Sequence, residues 1–252
     1  MLKKRIIVSL LYKDGLIVKG KKFKNHKVVG NPESLIKIFS SQEADEIQLI
    51  NISNQHRSSK FYQAVEFAVK ECKMPITIGG NIKNMEEVKK LFLLGADKIL
   101  VTTEAVNNYK FLRDIISTYG SQALVVGIEY LKIKDNIILC SNSGKKKIKK
   151  NILEYAQELE KIGIGELILI SIDRDGMMKG YDLETNIKIS KELQIPVIAS
   201  SGAGNFNHLV DIFEKSNVQG AICGSIFYFA DNNPIRARTY LTNQGIQMRK
   251  LR

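Results

Sequence analysis

Residues 44–53 read ADEIQLINIS, and about 120 residues later residues 164–173 read IGELILISID. Two further pairs recur at a similar distance: residues 74–80 (MPITIGG) with 195–202 (IPVIASSG), and residues 97–103 (DKILVTT) with 219–225 (QGAICGS). A repeat of this length, built from strand-like and helix-like pieces, indicates a duplicated unit. We therefore predict two similar halves, over about residues 1–120 and 121–252.

Eight short runs rich in β-branched residues alternate with helix-like stretches. The runs are residues 5–11, 46–51, 76–79, 98–102, 123–129, 166–172, 196–200 and 220–223. Their apolar residues are continuous rather than alternating, which is typical of parallel strands covered on both faces. The pattern favours a single α/β domain over residues 1–252, a (β/α)8 TIM barrel of two half-barrels, over an open doubly wound sheet.

The first and fifth units carry extra residues, 13–30 and 131–150. The second of these insertions alternates apolar and polar residues around a central Asp-Asn pair, which predicts a β-hairpin. Helices are predicted over residues 32–42, 84–94, 152–162 and 207–215, with Asn31 as an N-cap and Gly95 and Gly163 as C-caps. Since loops that follow the strands lie at the carboxyl end of a barrel, both insertions should stand over that end.

Composition narrows the possible partners. The formal net charge is +12, from 38 Lys and Arg against 26 Asp and Glu, which suggests an anionic ligand or partner, although a solvated lysine surface explains many of these charges. No aromatic-interleaved basic stretch favours nucleic acid. The three cysteines and three histidines show no metal-ligand spacing, so no metal and no cofactor is expected. No apolar run is long enough for a membrane span, and we expect a cytoplasmic location.

Small residues follow four of the predicted strands and suggest two phosphate sites. Small residues let backbone amides approach an anion closely, and hydroxyls add donors. A purely structural turn is the alternative for each one alone, but their recurrence at repeat-related positions favours a ligand with two phosphates. The first site would comprise Gly80, Thr102 and Thr103, and the second Gly202, Gly204, Gly224 and Ser225. Asp175, after the sixth strand, either contacts ligand hydroxyls or caps its own turn.

Several longer motifs carry a resemblance over essentially the full chain. They are residues 4–7 (KRII), 13–15 (KDG), 18–20 (VKG), 95–98 (GADK), 120–123 (GSQA), 143–146 (SGKK), 171–176 (SIDRDG) and 180–182 (GYD). With these motifs the chain resembles the cyclase subunit of imidazole glycerol phosphate synthase, a histidine-biosynthesis barrel. In that family a partner glutaminase releases ammonia, which passes through the barrel to a bis-phosphorylated ribonucleotide and closes an imidazole ring. The resemblance implies that Lys19 contacts substrate.

The resemblance also identifies a departure at the family's acid-base pair. The family uses two aspartates, at the ends of strands one and five, because protons move at two places. Here the first position is Leu11, which cannot exchange a proton, and the second is Glu129, whose carboxylate is extended by one methylene. Catalytic groups are sensitive to placement at the ångström level, so cyclase activity is expected to be weak or lost.

Four charged residues begin strands one, two, four and six: Arg5, Glu46, Lys98 and Glu166. Charged residues at strand starts often simply face water, but two cations and two anions at one end of a barrel can converge on its opening. In the resembled family these four positions form a gate over the entrance of the ammonia channel. All four residue types are present here, so a gate is expected.

The four gate residues are kept, whereas the acid-base pair is lost. This combination predicts a divergent relative of the cyclase subunit. It would bind a glutaminase at the amino end of the barrel and a phosphorylated small molecule at the carboxyl end. It would pass ammonia on, as in surface-sugar clusters where a separate ATP-dependent enzyme amidates a sugar. The alternatives are a working cyclase that uses Glu129 or Asp175, and a regulatory barrel that binds a bis-phosphate without ammonia transfer.

Overall fold

The computed structural model describes residues 3–53, 58–134 and 136–249. Eight parallel strands form a closed barrel in which the sixth strand pairs with both the fifth and the seventh. These strands are β1 (Arg5–Lys13), β4 (Glu46–Asn51), β5 (Ile76–Gly79), β6 (Lys98–Val101), β7 (Leu124–Ile133), β10 (Glu166–Ser171), β11 (Val197–Ser200) and β12 (Gly220–Cys223). The predicted (β/α)8 barrel is thus confirmed.

Helices surround the barrel. They are α1 (Pro32–Ser41), α2 (Ser59–Glu71), α3 (Met85–Leu93), α4 (Thr103–Asn107), α5 (Tyr109–Tyr119), α6 (Ile152–Ile162), α7 (Leu183–Glu192), α8 (Phe206–Lys215), α9 (Ser225–Tyr228) and α10 (Pro234–Asn243). The ends of the four predicted helices agree with the structure to within about one residue, because capping depends on residues that are close together in the sequence. Asn31 accepts a hydrogen bond from the Ser34 amide at 2.8 Å, and Gly163 ends α6 in the left-handed conformation that glycine adopts without strain.

Both insertions are antiparallel hairpins on the barrel rim. In the first, β1 pairs with β2 (Leu16–Lys21), which pairs with β3 (Lys24–Gly30). In the second, β7 continues beyond the barrel and pairs with β8 (Asn136–Ser141), which pairs with β9 (Lys146–Ile148). The hairpin predicted for residues 131–150 is confirmed, although its Asp135 lies outside the described residues. No secondary structure was predicted for residues 13–30, where alternation is obscured by lysines.

The barrel strands separate two apolar cores. Outward-facing residues pack against the helices, and inward-facing residues fill the lumen. The inner core consists of Ile7, Leu100, Val125, Ile168, Ile198 and Ile222. Glu46 and Glu166, which the sequence repeat relates, begin β4 and β10, four strands apart in the closed barrel. The division into half-barrels at about residue 120 remains a prediction. No helix in the described ranges has both the length and the apolar character needed to cross a membrane.

Candidate active site

A cavity of about 950 Å³ opens at the carboxyl ends of the strands, between the two hairpins. Its size suits a small phosphorylated molecule. It brings together nearly all residues predicted for the upper site: Leu11, Lys19, Gly80, Thr102, Thr103, Glu129, Asp175, Gly202, Gly224 and Ser225. Gly204 is the exception, because it does not line the cavity and its amide donates to Nδ1 of His208 at 3.1 Å.

Glu129 is a buried carboxyl that faces this cavity from β7. The second hairpin folds over it, and the Gly144 amide donates to Oε2 at 2.9 Å. Burial raises the pKa of Glu129 to about 7, against the opposing effect of the Gly144 and Ser143 amides. A carboxyl with a pKa near neutrality can both donate and accept a proton at physiological pH.

Leu11 lines the same cavity from β1, where its register partner on β4 is Ile50. At this position of β1, between Ser9 and Lys13, the cavity is therefore lined by an apolar side chain where the resemblance implies a carboxylate. Among the described residues, the other carboxyls that line the cavity are Glu104 and Asp175. Of these, Asp175 is paired with Lys19, and Glu104 lies on α4, so no carboxylate stands at the β1 position itself.

Lys19 and Asp175 form an ion pair that joins the first hairpin to the loop after β10. Nζ of Lys19 lies 2.5 Å from Oδ1 of Asp175, and both side chains are nearly buried. His26, from β3, lies near this pair, and burial followed by the charges of Lys13 and Lys19 lowers its pKa, with Asp175 opposing. A neutral His26 at pH 7 follows, since its ordinary pKa is already below 7.

The backbone after β11 forms a concave surface of amides. Gly202 has a φ of 112°, and a Cβ there would lie 2.1 Å from the Gly180 carbonyl oxygen, so only glycine fits. Within the described part of the chain, the amides of Gly202 and Ala203 donate no hydrogen bond to protein atoms. Ser225 adds a buried hydroxyl that likewise has no described partner. Unpaired backbone and hydroxyl donors that line one cavity are suited to an anion such as phosphate.

The sequence repeat relates the segments after β5 and β6 to those after β11 and β12. The surface that the first pair forms is built differently. A Cβ on Gly80 would lie 1.9 Å from the carbonyl oxygen of Asn51, so this glycine is required by close packing. The hydroxyl of Thr103 accepts from the Asn142 amide at 3.0 Å, which ties the second hairpin to this surface. Thr102 and Thr103 both line the cavity, at the start of α4.

The cavity also contains buried polar side chains beyond the predicted site residues, among them Asn51 and Gln48. Asn51 is buried, its Oδ1 accepts from the Ser53 amide at 3.0 Å, and its Nδ2 has no partner among the described residues. Gln48 is buried and lines the cavity from β4, the strand that begins with Glu46 of the ring. The signal for Gln48 was its period-two spacing from Glu46, which places both side chains on the inner face of β4.

The opposite opening of the barrel carries the four residues expected there, and they form a closed ring of ion pairs. Arg5 lies 3.1 Å from Glu46 and 2.9 Å from Glu166, and Lys98 lies 2.9 Å from Glu46 and 3.2 Å from Glu166. Thr77 donates to the other oxygen of Glu46 at 2.6 Å. Each cation thus bridges both anions, and the ring narrows the amino-end opening of the lumen.

We expect the free energy of unfolding of the chain to depend on pH because Glu129 is buried. Its folded pKa of about 7 exceeds the ordinary 4.5, so its burial costs little at pH 4, destabilises increasingly as the pH rises from about 4.5 to about 7, and has its full effect at pH 8. Replacement by Gln keeps the acceptor for Gly144 and removes the charge. The Glu129→Gln variant should therefore be about 3 kcal/mol more stable than the native chain at pH 8, and equal to it at pH 4.

Urea unfolding of both chains at the two pH values measures this difference. An equal free energy of unfolding at pH 8 would mean that Glu129 is solvated and has an ordinary pKa.

Among the described residues, no group of three or more His, Cys, Asp and Glu side chains is arranged to hold a metal ion.

Comparison with known proteins places the chain in a family. The model of the histidine biosynthesis protein family matches residues 5–233. The imidazole glycerol phosphate synthase subunit HisF of Chlorobium phaeovibrioides is 40% identical over 252 residues, covering 99% of this chain and 100% of the relative. HisF of Pelodictyon phaeoclathratiforme is 39% identical with the same coverage, and HisF of Clostridium botulinum strain Okra is 37% identical over 254 residues, also with 99% and 100% coverage.

The likeness thus covers both ends of the barrel, and the barrel fold agrees with it. The chain belongs to the histidine biosynthesis protein family and is similar, over its whole length, to the HisF subunit of imidazole glycerol phosphate synthase.

Proposed function

We propose that this chain is the barrel subunit of a glutamine-dependent amidotransferase. It binds a glutaminase at the amino end of the barrel, admits ammonia through the ring of Arg5, Glu46, Lys98 and Glu166, and delivers it to the carboxyl-end cavity. Its own cyclase activity is weak or absent. The observation that carries the proposal is the closed ion-pair ring at one end of a lumen whose other end is the cavity with Leu11.

The arrangement of the lumen supports passage of a small neutral molecule. Ile7 and Val125 are register partners of the two ring glutamates, and above them Leu100, Ile168 and Ile222 form the apolar floor of the cavity. Ammonium loses much of its hydration energy in such surroundings, whereas ammonia does not. The ring would therefore exclude ammonium or remove its proton, and the apolar segment would favour passage of neutral ammonia.

The final acceptor is the part of the proposal that rests on resemblance. We propose that ammonia leaving the cavity is used by a separate ATP-dependent enzyme that amidates a sugar in surface-sugar biosynthesis. The cavity keeps the concave amides after β11 and the Lys19–Asp175 pair, so a phosphorylated small molecule can still occupy it. In this role that ligand would signal to the glutaminase rather than be cyclised.

Charge reversal in the ring tests the proposal. In the Lys98→Glu variant three carboxylates meet one arginine, so the ring should open or repack. We expect the barrel's stimulation of glutamine hydrolysis by its glutaminase to fall at least about tenfold, a loss of about 1.4 kcal/mol of coupling. The measurement is the steady-state rate of glutamate formation by the glutaminase with and without the barrel variant.

Lys188→Glu, an exposed lysine on α7, makes the same change of charge away from the opening and should leave the stimulation unchanged. Equal stimulation by the Lys98→Glu and native chains would contradict ammonia admission through the ring. It would favour the regulatory barrel, which binds a bis-phosphate without ammonia transfer.

A working cyclase is the second candidate, and one observation favours it. The pKa of Glu129 near 7 is suited to general acid-base catalysis, so part of the proton transfer is available. Asp175, the other carboxyl expected from the sequence to take part, is already paired with Lys19 at 2.5 Å.

A further inference from the structure

The positive charge of this protein is concentrated in its two hairpin insertions. Residues 13–30 contain six lysines and one aspartate, and residues 131–150 contain seven lysines and one aspartate. Together these insertions hold +11 of the formal net charge of +12. The rest of the barrel is therefore close to neutral, so the excess positive charge is not spread evenly over the surface of this chain.

Most of these lysines are exposed and have no carboxylate partner among the described residues. This set, here named the basic collar, comprises Lys21, Lys22, Lys24, Lys27, Lys134, Lys145, Lys146, Lys147 and Lys149. Lys22, Lys24 and Lys145 also line the cavity, so the collar surrounds its mouth. The other six lysines do not line the cavity, so the collar holds more positive charge than a ligand inside the cavity would contact.

Exposed apolar side chains accompany the collar. Val28 on β3 is 60% exposed, and Ile133, at the end of β7, is 50% exposed. Within the described sheet β3 pairs only with β2, so its outer edge is free. Apolar side chains within a field of one charge sign, beside a free strand edge, are features of a docking surface for a macromolecule.

The charge and the residue composition of the collar favour one class of macromolecule over the others. A second copy of this chain would bring lysines against lysines, which disfavours self-association. Single-stranded nucleic acid binds where aromatic rings interleave with the cations, and Phe23 is the only Phe, Tyr or Trp in the two insertions. An acidic protein surface matches both the charge and the apolar positions.

We propose that the basic collar docks an acidic face of the enzyme that consumes the ammonia, so that this enzyme sits over the cavity mouth. The proposal rests on the ammonia-transfer function given above. Docking at the mouth would shorten the path of ammonia in bulk water, where it is protonated and diluted. The collar also explains why the net charge lies at the end of the barrel opposite the ring.

The test compares two fourfold variants with equal change in charge. The collar variant carries Lys21→Glu, Lys27→Glu, Lys146→Glu and Lys149→Glu, none of which lines the cavity. The control variant carries Lys70→Glu, Lys89→Glu, Lys188→Glu and Lys191→Glu, exposed lysines of α2, α3 and α7. The probe is the purified ATP-dependent amidating enzyme of the same cells, and the Kd for the barrel–glutaminase complex is measured by interferometry at physiological salt.

We expect the collar variant to bind the amidating enzyme at least about tenfold more weakly, mainly through a slower association, and the control variant to bind as the native chain does. Binding of the native chain should weaken with added salt. Equal weakening by both variants, or none by either, would overturn the proposal. So would tight binding of duplex DNA or of phosphatidylglycerol vesicles by a native collar that does not bind the enzyme.

Stimulation of the glutaminase provides the independent readout. The collar variant should stimulate glutamine hydrolysis normally, which shows that it is folded and that the ring is intact. Loss of amidating-enzyme binding with normal stimulation supports the collar. If the native chain fails to stimulate any glutaminase but still binds the enzyme through the collar, the ammonia-transfer function fails and the docking surface stands.

Discussion

The Leu11→Asp, Glu129→Asp double variant is expected to form imidazole product from the cyclase's ribonucleotide substrate and ammonium salt at least about 100 times faster than the native chain. Leu11 faces the cavity from β1 and cannot exchange a proton, whereas Glu129 faces it from β7 with a pKa of about 7. Restoring a carboxylate of the family's length at both positions restores the two places at which protons move. The assay is a steady-state rate with excess ammonium, which removes any need for a glutaminase.

Single variants separate the contributions. Leu11→Asn introduces a polar side chain of similar size that does not exchange protons, and it should remain as slow as the native chain. Glu129→Asp alone should also remain slow, because the β1 position still lacks its carboxylate. An ordinary enzymatic rate for the native chain would show that the working-cyclase alternative is right and that Glu129 or Asp175 performs the missing transfer.

The Arg238→Met variant is expected to lose about 3–5 kcal/mol of unfolding free energy. Arg238, on α10, is buried, and its guanidinium lies 2.9 Å from Oδ1 of Asp45. It also donates to the carbonyl oxygens of Arg249 at 2.7 Å and Glu43 at 2.6 Å. Removing it leaves a buried carboxylate and two carbonyls without their donor. Asp45 in turn accepts from the Ile6 amide at 2.9 Å, next to the ring residue Arg5.

Arg236→Met is the matched control, because Arg236 lies on the same helix in an exposed pair with Asp231 and should cost less than about 1 kcal/mol. Burial raises the pKa of Asp45, against the opposing effects of the Ile6 amide and Arg238. The loss in Arg238→Met should therefore be greater at pH 8 than at pH 5, where protonation relieves the unpaired charge. Urea unfolding of both variants at both pH values gives the comparison, and equal losses for the two would contradict it.

The ring of ion pairs was predictable because strand starts are a local property. Arg5, Glu46, Lys98 and Glu166 each begin a run of β-branched residues, and parallel strands of a closed barrel bring their starts to one opening. Glu129 was likewise placed at a strand end, but its pKa was not predictable. That pKa depends on burial beneath the second hairpin, which is decided by pairing between β7 and β8.

The two predicted phosphate sites show a second limit of what the sequence reveals. Small residues after β11 and β12 were visible in the sequence, and Gly202 and Ser225 do reach the cavity. Gly204 was grouped with them, yet its amide is engaged by His208 four residues later in the chain. Glycine content alone does not reveal which amides remain unpaired, because that depends on how the loop packs on residues 178–180.

The sequence by itself determined the alternation of strands and helices, the helix caps and the residue types at the two barrel ends, because each depends on neighbours along the chain. Only the tertiary structure decided that Lys19 pairs with Asp175 across 156 positions, and that Leu11 and Glu129 line one cavity. It also decided that the lysines of two distant insertions surround one mouth. These relations arise from barrel closure, which brings β1 and β7 to opposite sides of one lumen, and no local pattern encodes that distance.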